Sequence, residues 1–202
     1  SRKRLWVTAG VVGLLTSTII IYVWFPKKKK KTAEAEPIKS LAVLPFKQIS
    51  TDGDNYIGLG MADVLITRLS ELNQIVVQPI SAVRKYDSPD AHPFRAGEEL
   101  KVDAVLEGTF QKVNDRLRVT LRLDDIRKGR TIWSGKFDDQ FTDIFNVQDS
   151  ISDQVVNALA LNLSREKRNT MVRRYTANNE AYELYMKGRF WWSKRTVVSL
   201  RK

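Results

Sequence analysis

The chain of 202 residues contains no cysteine. Disulfides, thiolate-held metals and cysteine nucleophiles are therefore excluded, while the redox compartment stays open, because a cysteine-free domain tolerates either state. Histidine is almost as scarce: His92 stands alone, set between Ala91 and Pro93. One imidazole cannot build a metal site, and no Gly-x-Ser-x-Gly elbow accompanies it. Phosphate-binding fingerprints are missing as well. Gly58-Leu59-Gly60 would need a third glycine where Asp63 stands, and these glycines fall inside a helical apolar stripe, where close helix-to-sheet packing is the expected use. Asp52-Gly53-Asp54-Asn55 opens like a calcium loop, but Tyr56 holds the fifth place, no glycine follows it, and Asp63 stands at the twelfth, where such a loop needs an oxygen ligand, a glycine for the sharp turn and a bidentate glutamate. Asp124-Asp125 and Asp138-Asp139 are read as solvated strand ends, since neighbours on a strand face opposite ways and cannot share acid–base work. No catalytic residue, cofactor or metal is expected.

Charge is absent over residues 5–25, LWVTAGVVGLLTSTIIIYVWF. At the helical rise these twenty-one residues match a hydrocarbon core of about 30 Å. Trp6 sits near one end, Tyr22 and Trp24 near the other, where amphipathic rings favour the headgroup level. Basic residues bracket the run: a short flank over residues 1–4 and Lys27 to Lys31 beyond Pro26. A cleaved signal peptide has a shorter apolar core and a small-residue cleavage site, so residues 5–25 are expected to be a transmembrane helix that binds the chain to a membrane. Ala9 and Gly13 form a small-xxx-small step suited to contact between two anchors, hence to a homodimer. The sequence begins with Ser1 and stops six residues after Thr196; it is expected to be a piece of a longer protein.

The formal net charge of +11 is unevenly spread. Residues 1–31 contribute +8, residues 32–164 contribute −5, and residues 165–202 contribute +8. Phosphate-backbone binding needs a basic face on a folded module, and the central region is acidic, so no nucleic-acid partner is expected for this segment. The juxtamembrane lysines suit anionic lipid headgroups.

Residues 26–37 form a charged, proline-bounded linker. Residues 38–46 (IKSLAVLPF) are a short apolar run, as expected of a strand covered on both faces. From Tyr56 the spacing is helical, with Ile57, Met61, Val64, Leu65, Leu69 and Leu72 on one stripe and Asp63, Arg68 and Glu71 opposite. Residues 75–78 read as a second strand and residues 94–100 as a short helix. Residues 102–113 and 116–125 flank Asn114-Asp115, a pair suited to a tight hairpin. Leu117, Val119, Leu121 and Leu123 alternate with arginines, giving one core face and one wet face. A third strand over 131–138 carries Trp133 and Phe137 on one side. Val147, Ile151, Val155, Ala158 and Leu159 mark a long amphipathic helix. The order β-α-β-α-β-β-β-α implies one α/β domain with a mixed sheet over residues 38–164.

After a basic connector, residues 165–177, the stretch NNEAYELYMKGRFWW opens residues 178–202, where a helix pair begins but does not close, as at the start of a helical repeat array. Tyr182, Tyr185, Met186, Phe190 and Trp191 mark its apolar side; they are expected to be only partly covered and to exchange amide hydrogens faster than the α/β domain. Tyr182, Tyr185, Phe190, Trp191 and Trp192 are the candidate residues for binding protein partners.

Three ordered stretches, IKSLAVLPF, IGLGMADVLITRLS and VDAVLEGTFQKVNDRLRVTLRLDDIRKGRTIWSGKFDDQFTDIFNVQDSISDQVVNAL, resemble the TolB amino-terminal-like domain of bacterial membrane regulators over about residues 38–163. The continuation resembles the first helix of the tetratricopeptide array that usually follows, with Gly188 kept and aromatic residues crowding the helix end. The resemblance implies no catalytic residue. It implies a sensing or protein-interaction role behind an upstream cytoplasmic module, most commonly a winged-helix DNA-binding domain of the CadC/ToxR type, otherwise a serine/threonine kinase or adenylate cyclase. It also implies that residues 26–202 lie outside the inner membrane, whereas the positive-inside bias of Lys27 to Lys31 taken alone would place them in the cytoplasm. Export is the expectation adopted, because an upstream domain would itself fix orientation. A membrane-tethered scaffold whose repeats collect partners without signalling is the alternative of a different class.

Overall fold

The computed structural model describes residues 37–49, 56–88, 90–159, 161, 176 and 178–194. The expected membrane helix, the linker up to residue 36, the calcium-like loop, most of the connector and residues 195–202 lie outside the described residues. Among those described, no helix is long and apolar enough to cross a membrane.

A proline sets the first feature. β1 (Ser40–Val43) and β2 (Lys47–Gln48) both pair in parallel with β4 (Ala104–Val113), but Val43 lies opposite Leu106 and Lys47 opposite Thr109, so one residue is gained on the way. Pro45, buried between them, has no N–H to give the ladder. After α1 (Tyr56–Glu71), β3 (Val76–Val77) returns parallel to β1 on the side away from β4. The chain then passes α2 (Ile80–Val83), a single 3₁₀ turn (Arg84–Tyr86) and α3 (Pro93–Leu100) before crossing to β4. β5 (Arg116–Asp125) and β6 (Arg130–Gln140) complete the sheet as an antiparallel meander, giving the order β3-β1-β4-β5-β6 with β2 beside β4.

Two crossovers that move in opposite directions along a sheet, both of the favoured right hand, must place their helices on opposite faces. The packing agrees. A Cβ on Gly97 of α3 would lie 3.0 Å from Val105 Cγ2, on the face opposite the leucines of β5. The leucine face is covered by α1 and by α4 (Ile144–Ala158), which pack on each other, with α4 also over β6.

The hairpin follows its sequence closely. Asn114 takes the left-handed conformation at φ 54° that the tight turn demands, and Leu117, Val119, Leu121 and Leu123 are all fully buried while Arg116, Arg118 and Arg122 are exposed. Phe137 lies opposite Val119 and Trp133 opposite Leu123, on the inner side as expected.

Two expectations are corrected. Arg68 does not face water: it is 7% exposed, with its guanidinium 2.6 Å from the Asp149 carboxylate and 3.4 Å from Ser152 Oγ on α4. Asp124 and Asp125 are not solvated ends either. Asp124 is fully buried, accepts a 2.6 Å bond from Thr131 Oγ1 and lies 3.5 Å from Arg122, while Asp125 accepts the Lys128 N–H and pairs with the Lys128 ammonium at 3.2 Å. As neighbours on β5 they face opposite sides of the sheet, and both are buried because this end of the strand is covered on both faces: their partners on β4, Val105 and Ala104, are themselves fully buried.

Candidate interaction surface

The carboxamide of Asn178 starts α5 (Asn179–Lys194) by accepting the Ala181 N–H at 3.0 Å, a side-chain cap of the usual kind. Tyr182, Met186 and Phe190 then recur every four residues and are 7%, 1% and 2% exposed. They do not wait for a following repeat. Instead α5 packs along α1 of the α/β domain, and Tyr182 and Met186 join its core. The expectation of partly covered side chains is therefore corrected for these three: the surface that hides them is the part of α1 around Gly60 and Asp63, the first read from sequence as packing on the sheet and the second as lying opposite the apolar stripe.

The fit turns on Gly60. A Cβ there would sit 2.7 Å from both Cγ and Sδ of Met186, so the glycine admits the methionine rather than the sheet. Polar ties flank this contact. Gln148 Nε2 donates to the Tyr182 hydroxyl at 2.7 Å, the Tyr56 hydroxyl donates to Glu183 at 2.7 Å, and Arg189 pairs with Asp63 at 2.6 Å. The Asn179 amide donates to the Thr142 carbonyl, and the Phe145 and Tyr182 rings meet at 4.8 Å. Burial pushes the Tyr182 phenol up to about 12. Burial, then Glu183, also raises the Tyr56 phenol, while a hydrogen bond from Lys187, reinforced by Tyr56, holds the Glu183 carboxyl below its ordinary value. At neutral pH the Tyr56–Glu183 contact is thus a neutral donor facing a carboxylate, the stronger class of hydrogen bond.

The opposite side of α5 is open. Leu184, Tyr185 and Trp192 are 61%, 54% and 64% exposed, and Trp191 is half-buried, edge-on to Phe190 at 5.2 Å. Tyr185 and Trp192 border a cleft of about 170 Å³ floored by Leu59, Gly60, Met186 and Phe190. Its far wall is Ile80, Ser81 and Arg84, contributed by α2 and the 3₁₀ turn. Of the candidate partner-binding residues, the fold brings Tyr185 and Trp192 together at this cleft, places Trp191 at the margin, and turns Tyr182 and Phe190 inward. Ala9 and Gly13 lie outside the described residues. The far wall carried no sequence signal: a four-residue helix has too few positions to show a period, and only Pro79 before it marks a start.

Gly60→Leu is expected to lift α5, and amide exchange over residues 179–194 should then become faster while the hairpin strands stay protected. Gly188→Ala is the contrasting change. Nothing lies within 4 Å of a Cβ placed there, so removing a glycine from a helix interior should stabilise by up to about 1 kcal/mol, seen as slower exchange in the same helix.

Residues 37–154 match the family described as HilA/YgeH-like transcriptional regulator, second domain. A Rhizobium meliloti (strain 1021) protein named as adenylate cyclase 3 is 30% identical over 181 residues, covering 84% of this chain and 30% of that protein. The chain thus spans less than a third of that relative's length, and the 181 aligned residues run beyond the family domain. Among solved structures, lipoprotein GNA1162 of Neisseria meningitidis shares 24% identity at a TM-score of 0.43, covering 62% of this chain and 99% of that one. TolB of Acinetobacter baumannii shares 17% at 0.43, covering 61% and 29%, and the LpoB C-terminal domain of Salmonella enterica 15% at 0.39, covering 52% and 84%. With more than half of its 202 residues matched, the chain belongs to the HilA/YgeH-like transcriptional regulators through their second domain.

Proposed function

We propose that this chain is the membrane-anchored sensory and protein-interaction segment of a bacterial signalling protein, a single-pass transcription regulator whose DNA-binding module lies upstream of Ser1. The observation that carries this reading is the match of residues 37–154 to a regulator's second domain, a description that presupposes a first. In this reading residues 5–25 hold the chain in the inner membrane, residues 26–202 lie outside the cytoplasm, and α5 opens a tetratricopeptide array that recruits protein partners. Partner binding changes the association of two anchors along the Ala9/Gly13 face, and that changes the spacing of the cytoplasmic modules. The segment itself binds no nucleic acid and carries out no chemistry.

A second reading, in which the same segment serves an output enzyme, is favoured by one observation: the relative named as an adenylate cyclase aligns over 84% of this chain. The sequence upstream of Ser1 separates the two, since a winged-helix and a cyclase pattern are unlike each other. Topology is tested by fusions after Lys202. An alkaline phosphatase joined there should be active and a reporter that works only in the cytoplasm silent. The reverse result would mean that Lys27 to Lys31 set the orientation, and the segment would be an intracellular one.

A further inference from the structure

The two edges of the sheet are unlike. β3, at one end, is two residues long, short enough to offer a foreign strand almost nothing. β6, at the other, runs eleven residues from Arg130 to Gln140. Its one irregularity lies near its start, opposite Leu123 and Asp124, so Trp133 to Gln140 is a regular stretch.

Two hydrogen bonds decide which backbone groups of this stretch face outward. The Ile126 N–H donates to the Asp103 carbonyl on the β4 side of β5, and the Phe141 N–H donates to the Asp115 carbonyl on the β6 side. In an antiparallel ladder the bonding direction alternates from one residue to the next. Trp133, Gly135, Phe137 and Asp139 therefore bond to β5, while Ser134, Lys136, Asp138 and Gln140 turn their N–H and C=O groups to the outside. Among the described residues no other strand meets that row, and the Gln140 N–H is held by the Asp139 carboxylate at 2.8 Å. The side chains of the same four residues share the arginine face of the sheet and are exposed.

The row matches itself. When a second β6 runs antiparallel to the first about Phe137, Lys136 stands opposite the partner's Asp138, Asp138 opposite the partner's Lys136, and Ser134 opposite the partner's Gln140. All of these are outward-bonding residues, so the backbones can exchange paired hydrogen bonds while opposite charges lie side by side, the favourable cross-strand arrangement. Centring the pair on Lys136 or on Asp138 sets like charges against each other. A half-step register puts outward-bonding residues opposite inward-bonding ones.

We propose that β6 is the edge through which two copies of this chain join, antiparallel about Phe137, into one continuous sheet. Each copy has a single long edge, so the pairing closes at two copies and does not propagate. The proposal gives the interaction segment a partner, its own copy, and does not depend on membrane topology.

The test uses the full chain in detergent micelles, with Gly13→Ile carried throughout so that the anchor face does not contribute. Sedimentation over a concentration series should show a dimer that dissociates on dilution. Lys136→Asp sets two acidic rows against each other and Asp138→Lys two basic ones, so each alone should weaken the dimer about tenfold or more. An equimolar mixture of the two variants should dimerise like the parent chain, because an acidic row then faces a basic one. The double change Lys136→Asp with Asp138→Lys should do the same. Both side chains are exposed, so circular dichroism should be unchanged. Amide exchange at Lys136 and Asp138 should slow as concentration rises, while Gly135 and Phe137, bonded to β5, stay protected throughout. A monomeric parent chain overturns the proposal. So does a dimer that ignores the single reversals or is not restored in the mixture, which would place the contact elsewhere. Protection of Lys136 and Asp138 that is independent of concentration would give the edge to another segment of the same chain, and overturns it too. None of these results changes the outcome of the phosphatase fusion, so the pairing and the anchored topology fail separately.

Discussion

Replacing Arg68 by methionine should cost the domain about 3–5 kcal/mol, the scale of leaving one partner of a buried ion pair alone. Arg68 joins α1 to α4 by its 2.6 Å pairing with Asp149, whose side chain is 16% exposed. Without the guanidinium, that carboxylate is left in a place with little water to solvate it. The paired change Arg68→Met with Asp149→Leu should recover most of the loss, because an apolar pair of similar volume often matches a buried ion pair. Denaturant unfolding of the single and double variants measures both. If the double variant is as unstable as the single one, Arg68 does more than neutralise Asp149. The nearby polar chain is the place to look then: Ser152 Oγ donates to the Gln148 carbonyl at 2.7 Å, and Gln148 holds Tyr182 of α5.

Leu121→Ala is the second large effect, expected at about 2–5 kcal/mol for a fully buried leucine. The side chain lies at the centre of the hairpin, opposite Gly108 on β4 and Gly135 on β6. The space above those glycines is taken by the Leu121 side chain itself together with the Phe46 and Trp133 rings, so how far these rings can close on the gap decides where in the range the cost falls. Arg118→Ala is the control. Arg118 lies on the other face, pairs with Asp138 in full view of water, and should change stability little. Arg122 would be a poor control, since it sits 3.5 Å from the fully buried Asp124 and 2.7 Å from Glu107. Similar small effects at positions 121 and 118 would show that the register is wrong by one residue.

The contrast between these residues shows what the sequence made legible. The β5 leucines could be read because a two-residue period has only two faces, and Asn114-Asp115 fixed where the strand turned. Arg68 could not, because a helical stripe tells which residues face one neighbour and is silent about a second. α1 is covered by the sheet, by α4 and by α5 together, and ten of its sixteen residues are buried, Arg68 among them. The same blindness misplaced Gly60, rightly read as a site of close packing but assigned to the sheet instead of α5. Tyr182, Met186 and Phe190 were rightly grouped on one side, yet their covering surface was sought in residues further along the chain. For the cleft, the α5 half was visible as aromatic excess, while Arg84 came from a turn that only the three-dimensional path brings alongside.

The docking of α5 on α1 also has a consequence in time. A ribosome adds about 5–20 residues per second, so the chain from Ala158, the end of α4, to Lys194, the end of α5, takes a few seconds to make. Through that interval the notch at Gly60 is empty, and Tyr56, Asp63 and Gln148 lack their later partners. A nascent domain in this state presents an apolar strip to whatever is near it, chaperones included. Slowing translation within residues 159–178 would lengthen that exposure without altering a single amino acid of the finished protein.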